Sequence, residues 1–374
     1  MLPDVVVVGA GIAGAACAEA LSAAGVRVTV LDRGAPASGT TAAGEGNVLI
    51  SDKAPGPELA LAQASLARWP VLLESLEADV EWQAKGGLVV ALSSLDALTD
   101  FASGQRAAGV RAEVVSASDA LALEPGLTPS VVGGVYYPED AQLQPVLAAT
   151  ALLGAVRRRG GSVLAGVTAL GMRPGGVMTS VGFLPCGAVV NACGPWAGEF
   201  GAAAGAPLAV MPRRGMILVL ACPLYTRVIH KVYDADYVGA VESSDADLQT
   251  STVVESTMAG SVLVGSSRER VGFDSSLRVD VLRVLARKAV RLFPPLAEVP
   301  VIRAYGGFRP YVADHLPVIG ADPRVPGLWH VTGHEGAGIG LAAGTGQLFA
   351  DLFLGREPVV DPAPFRVDRD GVMV

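Results

Sequence analysis

The first 32 residues constrain the fold more than any other part of the chain. A run of four valines, residues 5–8, leads directly into glycines at positions 9, 11 and 14. An alanine-rich segment, 15–24, stops before Gly25, and a second apolar run, 26–31, ends at Asp32. The valine run is typical of a strand buried in a parallel sheet, and the alanine-rich segment with its glycine stop indicates a helix. The sequence therefore predicts a strand–helix–strand unit within an α/β fold.

The spacing Gly9, Gly11, Gly14 predicts a dinucleotide-binding turn. These glycines allow a tight turn and close approach of a pyrophosphate, which the amides at the start of the helix would hold. Asp32, at the end of the second strand, is placed to accept a hydrogen bond from a ribose hydroxyl. The alternative is an ordinary glycine-rich turn in an alanine-rich protein. The unit does not distinguish FAD from NAD, and its expected cofactor contacts are Gly9, Gly11, Ile12, Ala13, Gly14, Asp32 and Arg33.

Length and composition limit the class of protein. A chain of 374 residues exceeds what one core usually supports, which favours two domains. Although 51% of the residues are hydrophobic, Gly, Pro or charged residues interrupt each apolar run, so we expect no membrane span. A net charge of −8 argues against a nucleic-acid partner. The first residues lack a basic segment, so we expect no signal peptide and a cytoplasmic location. The cysteines, expected to be buried free thiols without metal spacing, are Cys17, Cys186, Cys193 and Cys222.

The remainder of the chain alternates between helix-like and strand-like patterns. Residues 57–76 have helical spacing, with a break or kink expected at Pro70. Residues 216–272 contain repeated β-type runs that favour an antiparallel sheet, and a last helix is expected from about 340 to 354 with Gly355 as its cap. Because nucleotide-binding elements lie at both ends, the β-rich middle is expected to be inserted. The predicted domains are a discontinuous dinucleotide-binding domain at 1–85, 140–215 and 305–374, and an inserted second domain at 86–139 and 216–304.

Three glycine-containing patches lie far from the first turn, at 40–46, 190–197 and 307–320. With that turn, they resemble the D-amino acid oxidase family of flavoproteins, which includes glycine oxidase, sarcosine oxidases and D-amino acid dehydrogenases. The resemblance spans almost the whole chain. It implies a Rossmann-type FAD-binding domain with an inserted, mainly antiparallel β substrate domain. It also implies non-covalent FAD, because the stretch 309–311 offers neither Cys nor His for a covalent tether.

The resemblance assigns cofactor contacts to each patch. In the family, the first patch approaches the phosphates and the flavin ring, the second lies beside the phosphates and ribitol, and the third borders the ring. Val167 is similar to the family's backbone contact to adenine. The loop 333–340 leads into a helix whose positive end would face the flavin pyrimidine. The residues implied are Thr40, Thr41, Gly44, Glu45, Gly46, Val167, Ala192, Cys193, Gly194, Trp196, Arg309, Gly336, Ala337, Gly338, Ile339 and Gly340.

A narrower resemblance lies in 254–257 and 265–274. These stretches are similar to the FAD subunits of opine oxidase, hydrogen cyanide synthase and the D-hydroxyproline and proline dehydrogenase complexes. The similarity implies an oligomer with iron–sulphur and second flavin subunits as partners. The alternative is a plain strand and turn with a surface pair formed by Arg268 and Glu269.

Arg309 is the predicted anchor for a substrate carboxylate. A guanidinium grips a carboxylate at two points, and Pro310 restricts the backbone of Arg309. Relatives use an arginine at this motif in the same way. The alternative is a structural salt bridge with Asp314. The predicted catalytic residues are Arg309, His334 and Glu335, and the predicted substrate-binding residues are Arg309, Tyr311 and Glu45.

Several pocket assignments stay open from the sequence. His334 and Glu335 either line the pocket or form a local hydrogen-bonded pair. His330 and His334 are four residues apart, but the segment between them is not helical in character, so no metal site is expected. The tyrosines at 136, 137, 233, 237 and 311 are candidates to cover the substrate, with core packing as the alternative.

The predicted reaction is FAD-dependent oxidation of the C–N bond of an amino or imino acid. Hydride transfer from the neutral amine gives an imine, and no side chain stands out as an obligatory base. Glycine, a D-amino acid, proline or hydroxyproline, and an opine remain open as substrates, and oxygen, a quinone or a partner subunit as electron acceptors. The alternatives are an FAD-binding subunit with no turnover of its own and an NAD-dependent dehydrogenase.

Overall fold

A computed structural model describes residues 3–221 and 228–374. Cys222 lies outside the described residues. In the described part, the α-helices are α1 (Ile12–Ala23), α2 (Pro57–Leu76), α3 (Asp96–Ala107), α4 (Ala117–Leu123), α5 (Pro145–Arg158), α6 (Ala197–Ala203), α7 (Asp236–Glu242), α8 (Val279–Leu292) and α9 (Gly338–Leu354). The strands are β1 (Val5–Val8), β2 (Val28–Asp32), β3 (Asn47–Val48), β4 (Gly87–Ala91), β5 (Glu113–Ser116), β6 (Gly133–Tyr137), β7 (Ala141–Gln142), β8 (Ser162–Ala165), β9 (Ala169–Arg173), β10 (Gly176–Thr179), β11 (Gly182–Pro185), β12 (Ala188–Asn191), β13 (Met211–Ala221), β14 (Lys231–Asp234), β15 (Gln249–Ser256), β16 (Ser261–Arg268), β17 (Val301–Tyr311), β18 (Val318–Ala321) and β19 (Leu328–Thr332).

The first sheet is mainly parallel and contains β1 near its centre. Its strand order is β18-β19-β12-β1-β2-β8, with β18 antiparallel to its neighbour. β1 pairs in parallel with both β2 and β12, which explains why Val5, Val6 and Val7 are fully buried. Helix α1 packs against α9 and α5, so the N-terminal and C-terminal ends of the chain share one core. The predicted strand–helix–strand unit is confirmed.

The second sheet is mainly antiparallel and has the order β17-β13-β16-β15-β14-β4-β6-β5. The one parallel pairing in this order is between β14 and β4. Helix α8 packs against β15, β16 and β13. It does so with Val281, Leu285, Ala289 and Leu292, whose spacing places them on one helical face. The α/β fold with a Rossmann-type unit and an inserted β-rich part is therefore confirmed.

Helices α2 and α9 show how the predicted boundaries compare with the structure. Helix α2 continues through Pro70 as one element, so of the break or kink expected there, the break does not occur. Helix α9 begins at Gly338 and is followed by Gly355 in the left-handed conformation. The stretch Glu335–Leu354 is long and apolar enough to cross a membrane, but 67% of its 18-residue apolar window is buried inside the protein. Because α9 packs on α1 and α2, this burial is that of a core helix.

Candidate active site

A cavity of about 630 Å³ is lined by residues of both large sheets. The β1–α1 turn, the segment after β2 and the segment after β12 contribute to its wall, as do β13, β17 and the loop before α9. The predicted cofactor-site residues that line this cavity are Gly9, Gly11, Ile12, Ala13, Asp32, Arg33, Thr40, Thr41, Gly44, Glu45, Val167, Ala192, Cys193, Gly194, Trp196, Arg309, Gly336, Gly338 and Ile339. His334 and Glu335 line it as well.

The turn between β1 and α1 requires glycine for steric reasons. Gly9 has a φ of 111°, and a Cβ there would collide with the carbonyl oxygen of Ala192. A Cβ on Gly14 would collide with the carbonyl oxygen of Gly9. The turn therefore depends on close backbone packing, as expected for a pyrophosphate-binding turn.

Polar side chains fix this turn in place. The carboxylate of Asp32 accepts hydrogen bonds from the amides of Ala10 and Gly34, each at 2.8 Å. The hydroxyl of Thr41 accepts from the amide of Ile12 at 3.0 Å. Asp32 thus organises the turn in addition to its predicted contact with a ribose.

Five predicted residues do not line the cavity: Gly14, Gly46, Ala337, Gly340 and Tyr311. Gly14 and Gly46 allow close backbone packing behind the cavity wall. The carbonyl of Gly340 accepts hydrogen bonds from Ser65 and Trp69. The ring of Tyr311 lies 5.4 Å from Arg213 and 4.8 Å from Arg270, so it packs against two cations.

Several aromatic and backbone groups shape the part of the cavity next to β2. The guanidinium carbon of Arg33 lies 4.4 Å from the ring centre of Trp196, which stacks on Phe273 at 5.3 Å. The amide of Val167 donates to the carbonyl of Asp32 at 2.9 Å and so extends the sheet beside the cavity.

The described cysteines, Cys17, Cys186 and Cys193, are free thiols. Burial raises the pKa of each of them, and that of Cys193, which lines the cavity, reaches about 12. Cys193 is therefore a neutral thiol at physiological pH.

Arg309 lies on β17 with its guanidinium held against the neighbouring strands. Its Nη1 donates to the carbonyl of Ser267 at 2.9 Å, and a side chain on Gly215 would collide with the guanidinium. Asp314 instead pairs with Arg369 at 2.6 Å, so the alternative salt bridge between Arg309 and Asp314 is wrong. Burial lowers the pKa of Arg309 to about 10, with Arg268 contributing to the shift, and the group remains a cation at neutral pH.

Glu335 is held by two partners from distant parts of the chain. One carboxylate oxygen accepts from Nη1 of Arg213 at 3.2 Å, and the other is hydrogen-bonded to Nδ1 of His315 at 2.7 Å. Arg213 is fully buried and also donates to the carbonyl of Ser243 at 2.7 Å. Sequence reasoning missed Arg213, although its arginine pair with residue 214 inside a β-type run was an available signal.

His334 and His330 are both buried but have different partners. Nε2 of His334 is hydrogen-bonded to the hydroxyl of Thr345 at 3.0 Å, and burial lowers its pKa to about 4. His330 lies between Asn191 and Asp322, each at 3.1 Å. His334 and Glu335 therefore do not form the local pair considered from the sequence.

A buried lysine cluster in the wall was not anticipated from the sequence. Nζ of Lys231, on β14, donates to Glu255 at 2.6 Å, to Glu45 at 3.1 Å and to the side-chain oxygen of Asn47. Burial raises the pKa of Glu45, but Lys231, Asn47 and Arg309 together outweigh burial and leave that pKa below its usual value. The sequence did contain a signal for such a cluster, namely a lone lysine in a strand-like stretch, because a buried charge needs a partner.

Arg268 and Glu269 do not form the surface pair considered above. Both are buried, and Glu269 pairs with Arg214 at 2.7 Å. The guanidinium carbon of Arg268 lies 4.8 Å from the ring centre of Tyr237, which lines the cavity. The surface-pair alternative is therefore wrong.

The other tyrosines considered as substrate covers have separate partners. The hydroxyl of Tyr137 donates to Gln105 at 2.6 Å, that of Tyr233 is hydrogen-bonded to Ser51, and Tyr136 lies edge-on to His230. Tyr237 is the one of the five proposed tyrosines that lines the cavity.

Comparison with known proteins identifies the family. The model of the DAO family, described as FAD dependent oxidoreductase, matches residues 4–352. The chain belongs to this family. It is 30% identical to the glycine oxidase of Pseudomonas aeruginosa and 32% identical to that of Pseudomonas putida, and each match covers 98% of both chains. It also superposes on the crystal structure of glycine oxidase from Geobacillus kaustophilus with a TM-score of 0.89 and 27% identity, covering 98% of both chains.

These matches establish the cofactor and the class of enzyme. The protein is an FAD-dependent oxidoreductase that acts on C–N bonds of amino acids. The alternative of an NAD-dependent dehydrogenase is therefore wrong. The structure fits FAD, because the glycine turn at the start of α1 and the glycine loop before α9 both open onto the same cavity.

Proposed function

We propose that this enzyme oxidises a small amino or imino acid whose carboxylate is bound by Arg309. The observation that carries this proposal is the placement of Arg309, which lines the cavity and makes no salt bridge among residues 3–221 and 228–374, although the carboxylate of Glu45 lies near enough to favour its charged form. Since Gly215 leaves room for it and Ser267 fixes one of its nitrogens, the remaining guanidinium edge is available to a carboxylate.

FAD, when bound, supplies the hydride acceptor for this reaction. The side chains of the protein hold the substrate for that transfer. Arg309 fixes the carboxylate and thereby the direction of the α-hydrogen. Tyr237 and Ile217 line the same cavity and reduce the access of water.

We assign positioning roles to His334 and Glu335. Because His334 is held neutral by burial, it does not add a positive charge beside the substrate. Because Glu335 is bound by Arg213 and His315, it serves to fix the loop that leads into α9. The proton of the amine then leaves through solvent or another weak acceptor.

The proposed cofactor contacts follow the cavity wall. The β1–α1 turn holds the diphosphate, Asp32 binds a ribose, Val167 lies near adenine, and the start of α9 faces the pyrimidine of the flavin. We also propose that the division into an FAD-binding domain and a substrate-binding domain follows the two large sheets.

The substrates considered are glycine, a D-amino acid, proline or hydroxyproline, and an opine. The relatives named above are glycine oxidases, and a solved L-proline dehydrogenase shares the fold with a TM-score of 0.87 at 20% identity. An anaerobic screen of D- and L-amino acids, cyclic imino acids and N-alkyl glycines would identify the substrate, because the correct compound bleaches the yellow enzyme. Replacing oxygen by a quinone or an artificial dye then identifies the acceptor.

Substitution of Arg309 tests the anchor. Arg309→Ala should raise the substrate concentration needed for half-maximal flavin reduction by about 100-fold, because a charged two-point contact is lost. FAD content should remain within a factor of two. Arg303→Ala, on the exposed part of the same strand, is the matched control. Unchanged kinetics in Arg309→Ala would remove the anchor assignment.

A second candidate is an FAD-binding subunit of a larger complex with no turnover of its own. The observation in its favour is 31% identity to the hydrogen cyanide synthase subunit HcnC of Pseudomonas aeruginosa, over 66% of this chain and 57% of that one. Reduction of the flavin by substrate in the isolated chain would exclude this candidate. A requirement for added iron–sulphur or second flavin subunits would support it.

A further inference from the structure

We propose that the substrate carries a second carboxylate, bound by Arg268, in addition to the carboxylate bound by Arg309. This inference rests on the proposed function and specifies the class of substrate as a dicarboxylic amine. Four observations support it. The neighbouring arginines pair with carboxylates, Arg268 lies beside the cavity, Arg268 and Arg309 repel each other, and the nearby carboxylates form salt bridges with other cations.

The other buried arginines of the same sheet are neutralised by carboxylates. Arg213 pairs with Glu335 at 3.2 Å, and Arg214 pairs with Glu269 at 2.7 Å. Arg268 is only 5% exposed, yet in the described part of the chain it has no acidic partner. Its contacts are a long hydrogen bond of 3.5 Å to Ser251 and the face of a tyrosine ring. Because a buried charge normally requires a counter-ion, Arg268 is incomplete without a ligand.

Arg268 is placed next to the cavity by its neighbours. Ser266, two residues earlier on the same strand, lines the cavity, and alternate residues of a strand face the same side. Tyr237, which packs under the guanidinium, lines the cavity as well. On the other side, Arg309 donates to the carbonyl of Ser267, the residue directly before Arg268.

Arg309 and Arg268, neither of which makes a salt bridge in the described part of the chain, repel each other. The pKa of Arg309 is lowered first by burial and then by the positive charge of Arg268. Two like charges in a poorly solvated site are unfavourable, and one monocarboxylate neutralises only one of them. A ligand with two carboxylates neutralises both.

The acidic side chains of this part of the wall form salt bridges with other cations, although Oε1 of Glu45 and Oε1 of Glu255 make no hydrogen bond. Glu45 pairs with Lys231 at 3.1 Å, and Lys231 pairs in turn with Glu255. Both oxygens of Glu335 are used by Arg213 and His315. These acids therefore do not serve as partners for Arg268.

The test compares compounds that differ only by a carboxylate and its neutral amide. The pairs are aspartate and asparagine, glutamate and glutamine, each as both enantiomers, and iminodiacetate with its monoamide. FAD-loaded wild type, Arg268→Gln and the exposed control Arg303→Gln are compared by anaerobic flavin reduction. In parallel, the shift in melting temperature caused by each compound reports binding without turnover.

In wild type and Arg303→Gln, the carboxylate member of at least one pair should be bound tenfold or more tightly than its amide, because one charged hydrogen-bonded contact is gained. In Arg268→Gln this preference should fall to less than threefold, while binding of the amide changes little. If Arg268→Gln does not fold, Arg268→Lys, which keeps the charge but loses the two-point geometry, should reduce the preference without abolishing it.

Two results would overturn the inference. One is that wild type binds no carboxylate more tightly than its amide, and the other is that Arg268→Gln weakens binding of the carboxylate and of the amide equally in each pair. Failure of the proposed function has a different signature. In that case no amino acid in the broader screen bleaches the flavin, whereas the melting shifts still report whether Arg268 binds a carboxylate.

Discussion

The two sheets that line the cavity use different chemistry. On the side of the first sheet, the β1–α1 turn is shaped by glycines, backbone amides and the carboxylate of Asp32. On the side of the second sheet, Arg309 of β17 lines the cavity, and buried charged side chains of β13, β14, β15 and β16 lie in the same sheet. The first side fits a diphosphate through backbone geometry, and the second fits a small charged substrate through side chains.

This difference separates the cofactor site, which family members share, from the substrate site, which can vary among them. A backbone turn tolerates few substitutions, because an added Cβ at Gly9 or Gly14 meets a carbonyl oxygen. A set of side-chain charges changes its specificity when one residue is exchanged. The family can therefore retain one cofactor while its members oxidise different amines.

The largest expected effect is a loss of unfolding free energy caused by a substitution in the buried lysine cluster of the second sheet. Lys231→Met leaves Glu45 and Glu255 as buried carboxylates without their cation, which should lower the free energy of unfolding by about 3–5 kcal/mol. Urea unfolding of the FAD-loaded enzyme measures this loss. Adding Glu255→Met to Lys231→Met should recover part of it. A loss below 1 kcal/mol would show that the buried cluster does not distinguish the two sides.

The next largest effect is the pH dependence of stability that arises from His330, a buried titratable group of the first sheet. Burial lowers its pKa to about 4, so between pH 6.5 and 4 the unfolded chain binds a proton that the folded protein does not. Stability should therefore fall as pH decreases through this window, by roughly 2–3 kcal/mol from this group. His330→Gln should show a correspondingly smaller loss between pH 7 and 4.5 by urea unfolding. Equal losses in both proteins would contradict the assignment.

The smallest change in unfolding free energy is expected for a substitution in the β1–α1 turn. Gly14→Ala forces a shift of the backbone near Gly9 and should cost about 1–3 kcal/mol together with most of the bound FAD. Absorbance at the flavin maximum and urea unfolding measure the two losses. Gly154→Ala in α5, whose added Cβ would make only an ordinary contact with the end of Arg158, should be neutral or slightly stabilising. Full FAD content in Gly14→Ala would show that the turn is less restrictive than its geometry indicates.

The two sides also differ in how well the sequence predicts them. The β1–α1 turn was predictable because strand, glycines, helix and acid follow one another within 32 residues. Helix α2 was predicted with its observed bounds, Pro57–Leu76, but the sequence left open whether Pro70 would break the helix or only kink it. Helix α2 packs against α9, a tertiary contact that the local sequence pattern does not show.

The charged side could not be derived in the same way. Lys231 and Glu45 are 186 residues apart, and Arg213 and Glu335 are 122 residues apart. Their pairing depends on the order of strands in the second sheet, in which β4 lies between β14 and β6. Arg309 was found because it belongs to a recognisable motif, whereas Arg268 and Glu269 were adjacent charges that suggested a surface pair.

The strand order of the first sheet has a consequence for synthesis on the ribosome. β1 and β2 emerge among the first 32 residues, but β19, a strand of the same sheet, ends at residue 332. At about 5–20 residues per second, the intervening chain takes roughly 15–60 seconds to be made. During this interval the fully apolar β1 lacks part of its sheet and the covering helix α9. We therefore expect the nascent chain to expose apolar surface until β19 and α9 have been made.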